Sequence, residues 1–332
     1  MVIAVDGPSA VGKSTVSRRV ADAVGLPHLD TGSTYRAAAM AAYEAGIDLD
    51  DAAAVVSAVD DADIDIVEGV VIVNGVDVTG ELRSDEVTAA SSRVATLPTV
   101  RARVVTLQRE WVERHGGSAV VEGRDIGTVV FPNAPVKIFL TARPEIRAAR
   151  RSGDAEAAEK PTDQVAAELA ARDQRDSSRE ASPLKPADDA VIVDTSDLSL
   201  DEVTERALTL VDEARAPKLA ALLDAHTPPT IALTEILRGV VRSADPALVE
   251  RVNLGWHGLG YHHPVAGYVC GIFPGADEVR LGFEHGVELP DPEGLFADEG
   301  TQVRYVVLSE WTESARTALG DLVDAAVEFS SR

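Results

Sequence analysis

Hydrophobic and polar positions divide the chain into two rhythms. In the first, short apolar runs alternate with longer helical patterns. Val2–Asp6 reads as a buried strand, followed by a glycine-containing turn and a helix over Lys13–Val24. Residues 119–122 are short, apolar and β-compatible, and Val136–Thr141 and 190–194 are clearer strands. Strands separated by helices predict an α/β fold, a parallel sheet with helices on both faces. Two segments interrupt the rhythm. Residues 63–79 are β-rich around Glu68-Gly69 and Asn74-Gly75, and the second pair is a hairpin signal, so a small antiparallel insert is expected there. Residues 151–185 are alanine-rich, charged and helical, and suit a flap over a phosphate site.

The rhythm changes near residue 214, where Pro217, Pro228 and Pro229 surround a short helical stretch. Beyond it the pattern predicts helices at 231–243 and 245–252, strands at 266–273, Val279–Phe283 and 303–308, and a helix over 313–329. That is a small α+β domain. The reading therefore divides the chain into residues 1–215, a linker at 216–229, and a second domain at 230–332. No internal repeat relates the halves.

Composition narrows the function. The 332 residues are 45% hydrophobic, enough to bury cores and to exclude global disorder. The net charge of −24 argues against nucleic acid or an anionic membrane as a partner. Both parts are acidic, with 23 basic against 38 acidic residues through Ala216 and 8 against 17 after it. Among the basic residues, arginines outnumber lysines 26 to 5, and 19 of the arginines lie in the first part. Arginine suits bidentate phosphate recognition, so their placement matters more than the total. Cys270 is the single cysteine, which excludes an intrachain disulfide framework. No transmembrane run is visible and the N-terminus is not signal-like, so a cytoplasmic location is expected.

Gly7-Pro8-Ser9-Ala10-Val11-Gly12-Lys13-Ser14, followed by Thr15, fits the G-x-x-x-x-G-K-[ST] phosphate-binding loop between a strand and a helix. The glycines let successive N–H groups face a triphosphate, and the helix N-terminus adds positive potential. Lys13 can reach the β- and γ-phosphates of ATP, and the Ser14 hydroxyl can ligate Mg²⁺. None of the five lysines follows an asparagine, which argues against a guanine-specific switch protein. The 190–194 run ends in Asp194 but comes late for a motor-type ATPase. A small-molecule kinase is the class left.

An acceptor that is itself a phosphate needs cations to offset repulsion between two anions. Arg36 and Arg124 sit in glycine-containing turns near strand ends, where open α/β sheets bind ligands. Arg101 follows Leu97-Pro98, and Arg172, Arg175 and Arg179 lie in the helical flap. The spacing of Arg172, Asp176 and Arg179 places them on one helix face.

Four segments carry a resemblance: GPSAVGKST from Gly7, LDTGSTYR from Leu29, EGRDIGTVVFPNAPVKIFL from Glu122 and RDQRDSSR from Arg172. In this order, across about residues 1–215, they resemble the bacterial cytidylate kinases, and the insert at 63–79 resembles that family's enlarged acceptor region. The resemblance implies transfer of the ATP γ-phosphate to CMP or dCMP with Mg²⁺, by residues in the following roles. Lys13, Arg124 and Arg179 would be catalytic, and Arg36, Arg124 and Arg179 would hold the CMP phosphate. Ser92, Arg101 and Asp125 would read cytosine, while Arg172 and Asp176 approach the pentose. Thr31 and Tyr35 would line the acceptor pocket, and Arg150 or Arg151 would cover ATP. Asp30 is open to two roles, assisting Mg²⁺ through water or capping a helix. Ala10-Val11 departs from the small, often glycine-containing pair usual in the loop. Rival readings are a kinase for another small acceptor and a nucleotide-binding regulatory protein.

Residues 230–330 resemble the YdhG-like α+β domains, on Asn253-Leu254-Gly255-Trp256, the stretches from Gly267 to Ile272 and from Val279 to Phe283, and Leu289-Pro290 onward to Leu295. Asp277-Glu278 stands where many relatives are basic. His257, His262, His263 and His285 with Cys270 lack the spacing of a structural zinc site. Trp256, Tyr261, Tyr268 and Phe273 are assigned to core packing ahead of a small pocket.

Overall fold

The computed structural model describes residues 1–331 apart from 68, 154–160, 180–181, 292 and 298–299. The chain forms two compact units, residues 1–21 with 26–210, and residues 22–25 with 211–332.

In the first unit β1 (Val2–Asp6) is the centre of a five-stranded sheet. Its neighbours are β6 (Ala119–Gly123) and β7 (Val136–Thr141), with β2 (His28–Asp30) outside β6 and β8 (Val191–Asp194) outside β7. Every pairing is parallel, and Asp6 lies level with Gly123 and Phe139. The loops leaving β1 and β6 therefore open at the same carboxyl edge, the ligand-binding edge of such sheets. β1 and β6 are apolar without alternation because both of their faces are covered.

Helix α1 (Lys13–Val24) follows the glycine loop, and α2 (Thr31–Glu44) starts directly after β2. Asp30 Oδ1 accepts from Gly32 N at 2.8 Å, so Asp30 caps α2. Helices α3 (Ala52–Asp61), α4 (Asp85–Val94) and α5 (Pro98–Arg114) surround the alanine face of α2, where Ala38, Ala39 and Ala42 meet Val55, Val94 and Val100. The insert is a three-stranded antiparallel sheet, β3 (Ile64–Val67), β4 (Val70–Val73) and β5 (Val76–Asp77). Asn74 (φ +52°) and Gly75 (φ +78°) make its turn, while Glu68 lies outside the described residues. The flap segment contains α6 (Pro144–Ser152) and α7 (Thr162–Ser177); 154–160 and 180–181 lie outside the described residues. Helix α7 stops at Ser177, so Arg179 sits just past its end instead of on the helical face shared by Arg172 and Asp176.

Helix α8 (Leu200–Leu223) runs through Pro217, so the first half of the stretch read as a linker is helical. Pro228 and Pro229 open α9 (Pro228–Ala244), where their missing N–H groups cost nothing. The second unit is a five-stranded antiparallel meander: β9 (Val249–Asn253), β10 (Gly258–His263), β11 (Gly267–Pro274), β12 (Val279–Phe283) and β13 (Arg304–Leu308), closed by α10 (Glu313–Ser330). Leu259, Tyr261, Cys270, Ile272, Leu281 and Phe283 form a core with Leu237 and Val241 of α9 and Leu319 and Val323 of α10.

Two expectations are corrected here. The helix read at 245–252 is a turn and strand β9. Asp245 Oδ1 takes the Ala247 N–H at 2.8 Å, and Pro246 has no N–H to continue α9, so the next residues pair with β10 instead. Of the four aromatics assigned to core packing, only Tyr261 is in the core. Trp256 is 61% exposed, and together with Tyr268 and Phe273 it lines a cavity on the other face of the sheet. Cys270 faces the core while His262 lines that cavity, and among the described residues no three His, Cys, Asp or Glu side chains gather into a metal site. No described helix is long and apolar enough to cross a membrane.

Candidate active site

Asp6, the last residue of β1, fixes the carboxyl edge. Its buried carboxylate accepts from Ile126 N at 2.9 Å and Gly127 N at 2.8 Å, tying the glycine loop to the turn after β6. Burial pushes its pKa up to about 6, against the lowering effect of those two N–H groups. Gly7 must be glycine, because a Cβ there would lie 2.2 Å from Leu140 O. Ala10 (φ +62°) and Gly12 (φ +91°) both take left-handed backbone. For alanine this costs about 1–2 kcal/mol, strain tolerated where the loop must curl.

Lys13 is buried, and its ammonium donates to Pro8 O at 2.6 Å. Burial, and then the positive charge of Arg124, lowers its pKa to about 7. Ser14 Oγ donates to Glu122 Oε2 at 3.0 Å, and Glu122 Oε1 lies 3.2 Å from His28 Nε2. Ser17 Oγ completes this group, 3.0 Å from the same His28 nitrogen. Thr15 and Ser14 are exposed at the start of α1, and Pro8 and Val11 complete the loop.

Arg124 donates to Gly7 O at 3.0 Å, to Ser9 Oγ at 2.8 Å and to Asp176 Oδ2 at 3.0 Å. Asp176 is buried and also takes Arg179 on its other oxygen. Arg172 is held down to about 10 by burial, with Arg124, Arg36 and Arg151 nearby adding positive charge. Arg36 Nη1 approaches Asp30 Oδ2 at 3.9 Å. Four arginines from α2, the turn after β6, α6 and α7 thus converge with Lys13, concentrating positive charge within an acidic protein.

Beside them Arg101 Nη2 donates to Asp125 Oδ2 at 2.5 Å, and its guanidinium carbon lies 5.3 Å from the centre of the Tyr35 ring. Both charges are buried. Burial raises the Tyr35 pKa to about 12, and Arg101, Asp125 and Arg179 all act on it. Three buried polar atoms in this cluster, Tyr35 Oη, Arg101 Nε and Arg179 Nε, have no hydrogen-bond partner among the described residues. Such atoms are costly unless something meets them.

The family model for cytidylate kinase matches residues 3–213. A cytidylate kinase of Streptomyces avermitilis is 47% identical over 222 residues, 66% of this chain and 95% of that protein. One of Mycobacterium leprae is 48% identical over 215 residues, 64% of this chain and 96% of its own. The chain belongs to the cytidylate kinase family. It is a nucleoside monophosphate kinase, and its substrates are nucleotides. Among solved structures, a gluconokinase of Sinorhizobium meliloti aligns at 16% identity with a TM-score of 0.37, over 66% of this chain and 95% of that one.

Within this cytidylate kinase unit, two residues of the sequence-derived site have hydroxyls bonded to main chain. Thr31 Oγ1 donates to Glu122 O at 2.6 Å and anchors α2 to β6, and Ser92 Oγ donates to Thr88 O at 3.0 Å within α4. Arg150 bonds Thr195 through Oγ1 at 2.8 Å and the carbonyl at 2.7 Å; Thr195 in turn reaches Val11 O at 3.3 Å. Sequence reasoning passed over Asp6, His28, Glu122, Arg147 and Asp173. Asp173 Oδ1 accepts from Ser9 N at 3.3 Å and pairs with Arg147, which also donates to Ser9 O at 3.3 Å. Glu122 and Asp173 stand inside the quoted family segments, yet neither has a loop or glycine signature of its own.

Proposed function

We propose that the site transfers the γ-phosphoryl group of ATP to CMP or dCMP, giving CDP or dCDP. The observation that carries this reading is the trio of unpartnered buried atoms, Tyr35 Oη, Arg101 Nε and Arg179 Nε, around the Arg101–Asp125 pair. A cytosine ring presents an exocyclic amine and a ring carbonyl. Asp125 accepts from the first, and Arg101 donates to the second. Arg36, Arg124 and Arg179 hold the monophosphate, and Arg172 with Asp176 meets the pentose.

The loop from Gly7 to Thr15 cradles the ATP phosphates through its N–H groups, and Lys13 turns from Pro8 O to the β- and γ-oxygens. Arg150 and Arg151 flank the nucleotide from α6. The acceptor phosphate oxygen is already nucleophilic, so these residues position and neutralise and need not abstract a proton. Ser14 Oγ and the Glu122 carboxylate, 3.0 Å apart, form a hard oxygen pair that suits Mg²⁺. Mg²⁺, when bound with ATP, supplies charge neutralisation across the β- and γ-phosphates. With nucleotides as substrates, the cytoplasm is the compartment we assign.

The test is a coupled assay with CMP, dCMP, UMP and AMP at fixed ATP and Mg²⁺. A kcat/KM for CMP or dCMP at least about tenfold above UMP and AMP is expected, since a purpose-built hydrogen-bonding site rejects bases that leave it unpaired. Equal use of all four would overturn the reading.

A further inference from the structure

The second unit carries a built cavity that phosphoryl transfer does not use. Gly260, Gly271 and Gly282 lie side by side across β10, β11 and β12, each the register partner of the next. They form a floor without side chains on the face of the sheet turned away from Leu259, Cys270 and Leu281. A Cβ on Gly271 would come within 2.5 Å of Tyr268 Oη and 2.9 Å of Phe273 Cζ, and one on Gly282 within 2.6 Å of Tyr305 Cε1. The glycines therefore let three aromatic rings lie close over the sheet. Trp256 rises at the rim from the β9–β10 turn, where its N–H bonds Asn253 Oδ1 at 3.0 Å.

The rings stand at steep angles to one another. Trp256 and Tyr268 are 6.3 Å apart at 83°, His262 and Tyr268 are 5.2 Å apart at 64°, and Phe273 and Tyr305 are 6.2 Å apart at 69°. They enclose about 340 Å³, a volume at the small end of small-molecule sites. Glu284 is the one charged side chain of the lining among the described residues. Among the described residues its carboxylate has no ion-pair partner. His262 does not oppose it: burial, and then the charge of Arg251, hold its imidazole down to about 4, neutral under physiological conditions.

We propose that this cavity binds an organic cation bearing an alkylated ammonium head group. The electron-rich ring faces attract a cation, and Glu284 adds a full opposite charge. Among the described residues the lining contains no cationic side chain, and the Glu284 carboxylate repels phosphates and carboxylates. A divalent metal would need several hard oxygen ligands where the lining offers one carboxylate. A bare ammonium must give up strong hydration for few acceptors, whereas an alkylated one is weakly hydrated and presents apolar surface to the rings. Trp256 and Phe273 also wall an adjoining hollow lined by Asp277, Glu278 and Arg280, where Arg280 pairs with Glu278 at 2.6 Å and the three side chains sum to one negative charge.

The test is calorimetric titration of the full chain with tetramethylammonium, choline and acetyl-trimethyllysine amide, with 3,3-dimethylbutanol as the neutral isostere of choline. Saturable binding of the cations is expected, with the isostere weaker by about tenfold. Trp256→Ala should abolish binding and Glu284→Gln should weaken it several-fold, each with the melting temperature and CMP turnover unchanged. Tighter binding of the trimethyllysine probe than of choline would assign the head group to a modified protein side chain, and the reverse to a free metabolite. The proposal fails if no cation saturates, if the isostere matches choline, or if both variants bind as the wild type does.

Discussion

The carboxylate of Asp173 rests on the backbone N–H of Ser9, 3.3 Å away, inside the phosphate-binding loop. Arg147 holds it there and at the same time donates to Ser9 O at 3.3 Å. An anion from α7 thus occupies a donor of the kind that a phosphate oxygen seeks, and on the proposed function ATP is expected to displace it. Removing this competitor by Asp173→Ala should lower the KM for ATP about fivefold, from about 1 kcal/mol of charge-assisted hydrogen bonding, with kcat little changed. Steady-state kinetics at saturating CMP check this. A raised KM would mean that Asp173 serves the bound state instead.

ATP binding is expected to be sensitive to pH through Lys13. Burial and Arg124 depress its pKa to about 7 from the ordinary 10.5, and a polyphosphate beside it pulls that value back up. Between these two values the empty protein carries a partly neutral Lys13, so binding takes up a proton. The same shift makes the empty fold gain stability as pH rises through this window, because the unfolded chain binds the extra proton. Calorimetry of ATP binding at pH 8 in buffers of different ionisation enthalpy should show an uptake approaching one proton. In Lys13→Met that uptake should vanish.

Legibility along the chain followed locality. The loop from Gly7 to Ser14 was readable because its glycines, lysine and serine are contiguous and the chemistry follows from backbone geometry at that spacing. The strands at the centre of the parallel sheet were readable because burial on both faces leaves unbroken apolar runs. Asp173 and Ser9 are 164 residues apart, and no local pattern announces that they meet. Strand β10 escaped notice because Gly258 and Gly260 occupy positions where a strand normally shows side chains, and Gly260 belongs to the floor of the aromatic cavity. The helix expected at 245–252 does not form because Asp245-Pro246 is a local stop that turns the chain into β9. Thr31 sits in a quoted family segment, yet its hydroxyl is used to fasten α2 to β6.

Arg124 joins the glycine loop to α7 through one guanidinium, with bonds to Gly7 O, Ser9 Oγ and Asp176. Its planar fork satisfies three directions that a point charge cannot. Arg124→Ala should lower kcat by about two to three orders of magnitude, the scale of losing a preorganised donor at a transition state. Arg124→Lys should recover little of it, because an ammonium does not reproduce the fork. Turnover of Arg124→Lys near the wild-type value would show that charge alone suffices.

Asp6 is the structural counterpart of this chemistry, since its carboxylate aligns the two loops through Ile126 and Gly127. Its pKa is raised to about 6 from the ordinary 3.8, chiefly by burial. The folded protein therefore binds a proton more readily than the unfolded chain between those values, and the contribution of Asp6 to stability is greatest below about pH 4 and declines as pH rises through 6. In Asp6→Asn this titration is absent. The difference in unfolding free energy between wild type and Asp6→Asn should fall from pH 4 to 6 and then flatten. Denaturant melts at half-unit pH intervals measure it, and a difference that stays flat across that window and changes only below about pH 4 would show that the two N–H bonds outweigh burial and depress the pKa.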